Sequence, residues 1–257
     1  MSKPTYVLLP GAWHSPDIYG DVVGLLAKHG YPAISLPLPS FDATPPHYDF
    51  SADVTAIRSC LAELVSQDKD VILVVHSYAG LPGGEATKDL GKKEREAQGL
   101  KGGIIRYVVI NGFVAPVGFQ PAPRGDYSTM PEWMKFDAET DTFSVTPADA
   151  THIFYHDLPP PRAASLVAAL RPHSAGVFFS TTTHAAWTHI PSTYLIGVED
   201  RTRFTAAVSE LMIQGARKME PSAFDVVERC EGAGHCVMIS FPEWTAEALR
   251  RAAGEVV

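Results

Sequence analysis

Three residues of this chain could together accept a proton, attack a carbonyl and hold an imidazole in place: Ser77, His235 and Asp200. Ser77 follows the apolar run at residues 71–75 and stands in Val75-His76-Ser77-Tyr78-Ala79-Gly80. A strand that ends in small-X-Ser-X-small and enters a helix makes a tight, strained elbow. It lifts the hydroxyl over the sheet edge, and the helix N-terminus faces the space where negative charge develops. Val75 and Ala79 stand where glycines are usual, and Val75 is the larger departure. Taken alone, these residues fit equally a strand-to-helix turn that happens to contain a serine.

Three further stretches bear on that choice. Val7-Leu8-Leu9-Pro10-Gly11-Ala12 is a strand entering a small-residue turn. The backbone N–H of Ala12 is a candidate oxyanion donor, and that of Tyr78, directly after the serine, is the second. Asp200 lies just past a late strand in Ile196-Gly197-Val198-Glu199-Asp200. A carboxylate there accepts from a histidine N–H and fixes its tautomer. Glu199 is the competitor, and Asp200 is better placed. His235 sits in Gly232-Ala233-Gly234-His235-Cys236, a flexible loop between a strand and the last helix, from which an imidazole reaches the sheet edge. The chain order Ser77, Asp200, His235 differs from the two other serine-protease orders. His14 is a candidate substrate contact, Trp13 and Trp187 are candidate pocket walls, and His76 reads as a structural partner of the elbow.

The elements that must position these groups follow from periodicity. Residues 6–9, 33–38, 71–75, 104–109, 193–198 and 223–228 read as strands. Ser15-Pro16 starts a helix with Ile18, Val22, Leu25 and Leu26 on its apolar stripe, stopped by Gly30. Ser51 is expected to cap a second helix, and residues 205–216 and 242–253 form two more. Strands alternating with helices imply a doubly wound, mostly parallel sheet covered on both faces. The rhythm breaks between residues 114 and 191, so residues 1–114 and 191–257 read as core and residues 115–190 as an inserted cap over the C-terminal sheet edge. The charged stretch 88–101 reads as a solvated helix end and loop.

Composition narrows the partners. The 257 residues are 46% hydrophobic and carry a formal net charge of −8 in mixed sign, which speaks against nucleic acid or an anionic membrane surface. Cys60, Cys230 and Cys236 are an odd count without metal-ligand spacing, as in a reduced compartment. No apolar run approaches membrane-spanning length, and the N-terminus lacks the pattern of a signal peptide, so a cytoplasmic protein is expected. The expected partner is a small-molecule substrate, with a homodimer possible.

In PGAWHSPDIY, VILVVHSYAGLPGGEA, FYHDL, WTHIPSTYLIGVED and GAGHCVMIS the chain resembles the α/β-hydrolases. It is most similar to the branch of plant methyl-ester esterases and hydroxynitrile lyases and to fungal α/β-hydrolases of biosynthetic pathways. That resemblance implies an α/β-hydrolase fold with an inserted helical cap. It implies Ser77 as nucleophile, His235 as base, Asp200 as its orienting acid, Ala12 and Tyr78 as oxyanion donors, and no cofactor or metal. Pro10 departs from the histidine many relatives carry in the first turn. Cys236 stands where hydroxynitrile lyases have lysine, and Gly11 where they have threonine, so cyanohydrin cleavage is not expected. The expected activity is hydrolysis of an ester, thioester or lactone of a small, partly apolar substrate. The rivals are a cyclase or C–C lyase using His235 as base, and a non-catalytic ligand-binding protein.

Overall fold

The run that precedes Ser77 is the middle of a sheet in the computed structural model, which describes residues 3–257. In chain order the strands are β1 (Thr5–Leu9), β2 (Ala33–Ser35), β3 (Asp70–His76), β4 (Gly103–Ile110), β5 (Met134–Asp137), β6 (Thr142–Val145), β7 (His173–Ser174), β8 (Ser192–Gly197) and β9 (Val226–Cys230). The helices are α1 (Gly20–Lys28), α2 (Ser51–Ser66), α3 (Gly80–Ala86), α4 (Lys92–Ala97), α5 (Pro147–Phe154), α6 (Pro160–Ala169), α7 (Ala206–Met219), α8 (Val237–Ser240) and α9 (Pro242–Ala252).

Six strands form one sheet in the order β2-β1-β3-β4-β8-β9, and every neighbouring pair is parallel. Strand β3 has no polar–apolar alternation because helices cover both faces, and Val71 through Val75 are all at 0% exposure. The register fixes the site. Val75 pairs with Leu9 of β1 and Val109 of β4, and Ile110 pairs with Leu195 of β8. The residues after β1, β3, β4 and β8 therefore leave the sheet at one edge. The chain runs outward from β1 to β2 and then in the opposite direction from β3 to β4. The switch point between β1 and β3, where open α/β sheets offer a crevice, is where Ala12 and Ser77 emerge.

Several sequence-based boundaries move. Strand β2 ends at Ser35, and β9 begins at Val226 because Phe224, at φ +50°, breaks the extended path. Ser51 is the first residue of α2 and not its cap; the cap position is Phe50, and the Ser51 N–H donates to Asp49 at 2.8 Å. Ser15 does cap a helical turn, accepting from the Asp17 N–H at 3.4 Å. The charged stretch 88–101 holds the short helix α4, which buries no residue. The segment between β4 and β8 is not purely helical. Besides α5 and α6 it contains the antiparallel sheet β5-β6-β7. Its strands have two to four residues, too short for a period of two to stand out. None of the described helices is long and apolar enough to cross a membrane.

Candidate active site

The elbow forms because neighbouring backbone leaves it room. Ser77 has φ +56°, a left-handed conformation that a non-glycine residue holds only under tertiary constraint. Two glycines close in on it. A Cβ on Gly11, in the first turn, would lie 2.9 Å from both Ser77 Cβ and His76 Nδ1; one on Gly112, after β4, would lie 2.8 Å from Ser77 N. The bulky Val75, where a glycine is usual, is accommodated from the helix side. A Cβ on Gly83 of α3 would meet Val75 Cγ1 at 2.6 Å, so the missing side chain of Gly83 makes the space that the valine fills.

His235 is brought to the same edge by the loop after β9 and is 2% exposed. Its Nδ1–H donates to Asp200 Oδ2 at 2.7 Å, with Thr202 Oγ1 at 3.4 Å. The other Asp200 oxygen accepts from the Thr202 N–H at 2.7 Å. This buried pair sets the tautomer: Nδ1 carries the proton, and Nε2 is left as the acceptor. The imidazole is held flat between Phe204 and Phe154, at centroid distances of 6.0 and 5.5 Å. Glu199, the rival acid, is exposed, and its N–H bonds Ala233 instead.

Ser77, His235, Ala12 and Tyr78 line one cavity. The remaining wall is almost wholly apolar, with Trp13, Trp133, Phe113, Phe154, Phe178 and Phe204 among its residues. Met130, Trp133, Phe154 and Phe178 come from the segment between β4 and β8. Trp13 is at the wall as expected; its indole N–H donates to Phe143 O at 2.9 Å and ties the first turn to β6.

His14 and Trp187 are not in that wall. Both ring nitrogens of His14 are committed: Nδ1–H donates to Ala12 O at 2.6 Å, and Nε2 accepts from the Tyr155 hydroxyl at 2.8 Å. Burial lowers its pKa to about 4, so it stays neutral and buttresses the turn that presents Ala12. Trp187 lies in a neighbouring groove, its indole N–H donating to Ala115 O at 3.2 Å. His76 is a structural partner of the elbow. Its Nε2–H donates to His235 O at 3.1 Å, and burial drives its pKa well down. Cys236 is buried beside His14, and desolvation raises its pKa well above that of a free thiol.

Three supporting residues escaped the sequence reading. Asn111, at φ +38°, accepts from Gly197 N–H at 2.8 Å and donates to Gly234 O and His235 O at 3.1 and 3.0 Å, clasping the acid strand to the histidine loop. Asp157 accepts from Gly234 N–H at 2.6 Å and anchors that loop from the segment between β4 and β8. Asp53 of α2, at 0% exposure, accepts from the Tyr78 hydroxyl at 2.6 Å and from the Ser40 N–H and hydroxyl at 2.9 and 2.6 Å. That network fixes the side chain of the residue after the serine. Among the described residues no cluster of three or more His, Cys, Asp or Glu could hold a metal ion.

A parallel, doubly wound α/β sheet whose C-terminal edge carries serine, aspartate and histidine in that chain order is the arrangement of the α/β-hydrolase class. The chain belongs to the alpha/beta hydrolase family, whose model matches residues 6–248, and it is an enzyme of the hydrolase type. It is 32% identical over 258 residues to the alpha/beta hydrolase nvfD of Aspergillus novofumigatus, across 100% of this chain and 99% of that one. Its fold superimposes on a methylesterase from Arabidopsis with a TM-score of 0.73 at 19% identity, covering 98% of this chain and 99% of the other. Tomato methylketone synthase I complexed with 2-tridecanone matches with a TM-score of 0.73 at 20% identity, over 99% of each chain. The family resemblance read from the sequence is borne out.

Proposed function

We propose that this chain hydrolyses an ester, thioester or lactone of a small, partly apolar substrate through an acyl-enzyme on Ser77. The observation that carries the reading is the buried 2.7 Å Asp200–His235 bond, which leaves Nε2 as the acceptor of an imidazole that lines the same cavity as a serine held at φ +56°. In the first half-reaction His235 Nε2 takes the Ser77 proton, Oγ attacks the carbonyl, and the Ala12 and Tyr78 N–H groups steady the oxyanion. His235 then gives its proton to the leaving oxygen or sulfur. In the second half-reaction water loses a proton to His235 and releases the acid, restoring Ser77. Asp200 accepts from Nδ1–H throughout and stabilises the imidazolium. The residue types call for no cofactor or metal.

The segment 115–190 acts in this reading as a cap, supplying the aromatic wall that keeps bulk water from the acyl-enzyme. The unpaired Cys60, Cys230 and Cys236 support a cytoplasmic setting.

Incubation with a fluorophosphonate, followed by intact mass and peptide mapping, tests the assignment. The expected result is one adduct on Ser77, absent in Ser77→Ala and lost in His235→Ala. A folded wild-type protein that takes no adduct overturns the acyl-enzyme.

A further inference from the structure

Arg203 is the one lysine or arginine in the wall of the cavity that holds Ser77 and His235, and no aspartate or glutamate lies in that wall. It follows Asp200 on the same loop and also lines the neighbouring apolar groove, shared with Phe113 and Phe204. Its guanidinium is partly buried, and among the described residues it makes no hydrogen bond or ion pair within the chain. Its protein contact is the face of Phe113, 5.8 Å from the guanidinium carbon and at the far limit of a cation–π interaction.

A guanidinium drawn out of water is costly unless a partner meets it. The other arginines obey that rule: Arg58, Arg95 and Arg217 donate to backbone carbonyls, and Arg106, Arg229 and Arg251 donate to carboxylates. Burial lowers the Arg203 pKa, and no carboxylate offsets it. The fork matches a carboxylate with two parallel N–H bonds. A single cation suits a singly charged group, whereas phosphate calls for more positive charge.

Resting on the reading of Ser77 as the reacting centre, we propose that Arg203 binds a free carboxylate on the substrate, so that the enzyme takes an ester or lactone that is also a carboxylic acid. The apolar wall holds the carbon skeleton, and Arg203 sets which end of the molecule faces Ser77.

Octanoate and octanamide, equal in length and differing in charge, separate this from a general affinity for apolar chains. Calorimetry on wild type is expected to show octanoate binding at least tenfold more tightly than octanamide. In Arg203→Gln that ratio is expected to fall to within twofold, and in Arg203→Lys part of it survives. Circular dichroism confirms that each variant is folded. A wild type that does not bind octanoate, or does not prefer it, overturns the proposal. So does an Arg203→Gln ratio equal to that of wild type, which would place the carboxylate on the oxyanion donors. The readout needs no turnover. A Ser77 adduct with an unchanged ratio removes the carboxylate site alone; a collapsed ratio without an adduct keeps that site and removes the acyl-enzyme.

Discussion

At the scale of single residues, the polar groups around Ser77 divide by whether their hydrogen bonds leave anything over for a substrate. His14 is consumed by the fold, donating to Ala12 O and accepting from the Tyr155 hydroxyl, whereas His76 donates to His235 O and its Nδ1, packed against Gly11, has no partner. His235 differs because its one strong partner, Asp200, takes Nδ1 only. Asp200→Asn tests this division. An amide of the same shape keeps the Thr202 N–H bond but can donate to Nδ1, which favours the tautomer with its proton on Nε2. Turnover is then expected to fall by about 10⁴-fold with KM changed little. Steady-state kinetics on any ester the wild type cleaves would show it, and a loss under tenfold would mean that Asp200 does not set the tautomer. Among the arginines the same question singles out Arg203, whose side chain finds no polar partner among the described residues.

At the scale of elements, the site is a set of strand ends brought to one edge by register and pressed together at glycines. Gly11 shows this most directly, since the turn after β1 touches the elbow after β3 where its side chain would be. In Gly11→Ala the added methyl must push the first turn off Ser77 and His76, because neither is a flexible chain end. A shift of a few tenths of an ångström in Ala12 misaims its N–H. We expect a 10- to 100-fold loss of turnover, with a stability cost of about 1–3 kcal/mol. Kinetics beside urea denaturation would separate the two effects; unchanged turnover would show that the turn does not position a donor. The strands that lead to Ser77 and Asp200 were legible in the sequence, because each holds a buried, mostly apolar run; the strand before His235 carries Glu228 and Arg229, and its range moved from 223–228 to Val226–Cys230. The supports were not. Asp53 lies on the buried stripe of α2, four residues before Ile57, where an apolar pattern treats a carboxylate as an interruption. Asn111 reads locally as a turn residue before Gly112, and its three bonds join segments some 86 to 124 residues away. Arg203 looks like any loop arginine until the cavity around it is seen. The short strands β5 to β7 gain their pairing from tertiary placement rather than from local pattern.

For the whole molecule, the concentration of buried imidazoles at the junction of the sheet and the inserted segment makes stability depend on pH. Burial lowers the pKa of His14 to about 4 and of His173 to about 3, and drives that of His76 well down. In the unfolded chain each returns to about 6.5. From about pH 6.5 down to about pH 4 the unfolded state therefore binds more protons than the native one, and stability falls as pH falls. Each imidazole contributes about 1.4 kcal/mol per pH unit across the part of that window where it is protonated only when unfolded. Asp53 acts oppositely, because burial outweighs its hydrogen bonds and raises its pKa. Its native state holds the extra proton above about pH 4, so it costs stability as pH rises there. One carboxyl does not offset three imidazoles. His173 isolates a single contribution: its Nε2 bonds Ser40 Oγ at 3.0 Å, a contact that glutamine can replace, and its Nδ1 has no partner. In His173→Gln the slope of unfolding free energy against pH between 4.5 and 6 is expected to drop by about one proton, with a loss at pH 7 of about 1–2 kcal/mol from imperfect packing. Urea midpoints measured across that range decide the matter. An unchanged slope would mean that His173 is protonated in the native protein, with Asp53, reached through Ser40, as its counter-charge.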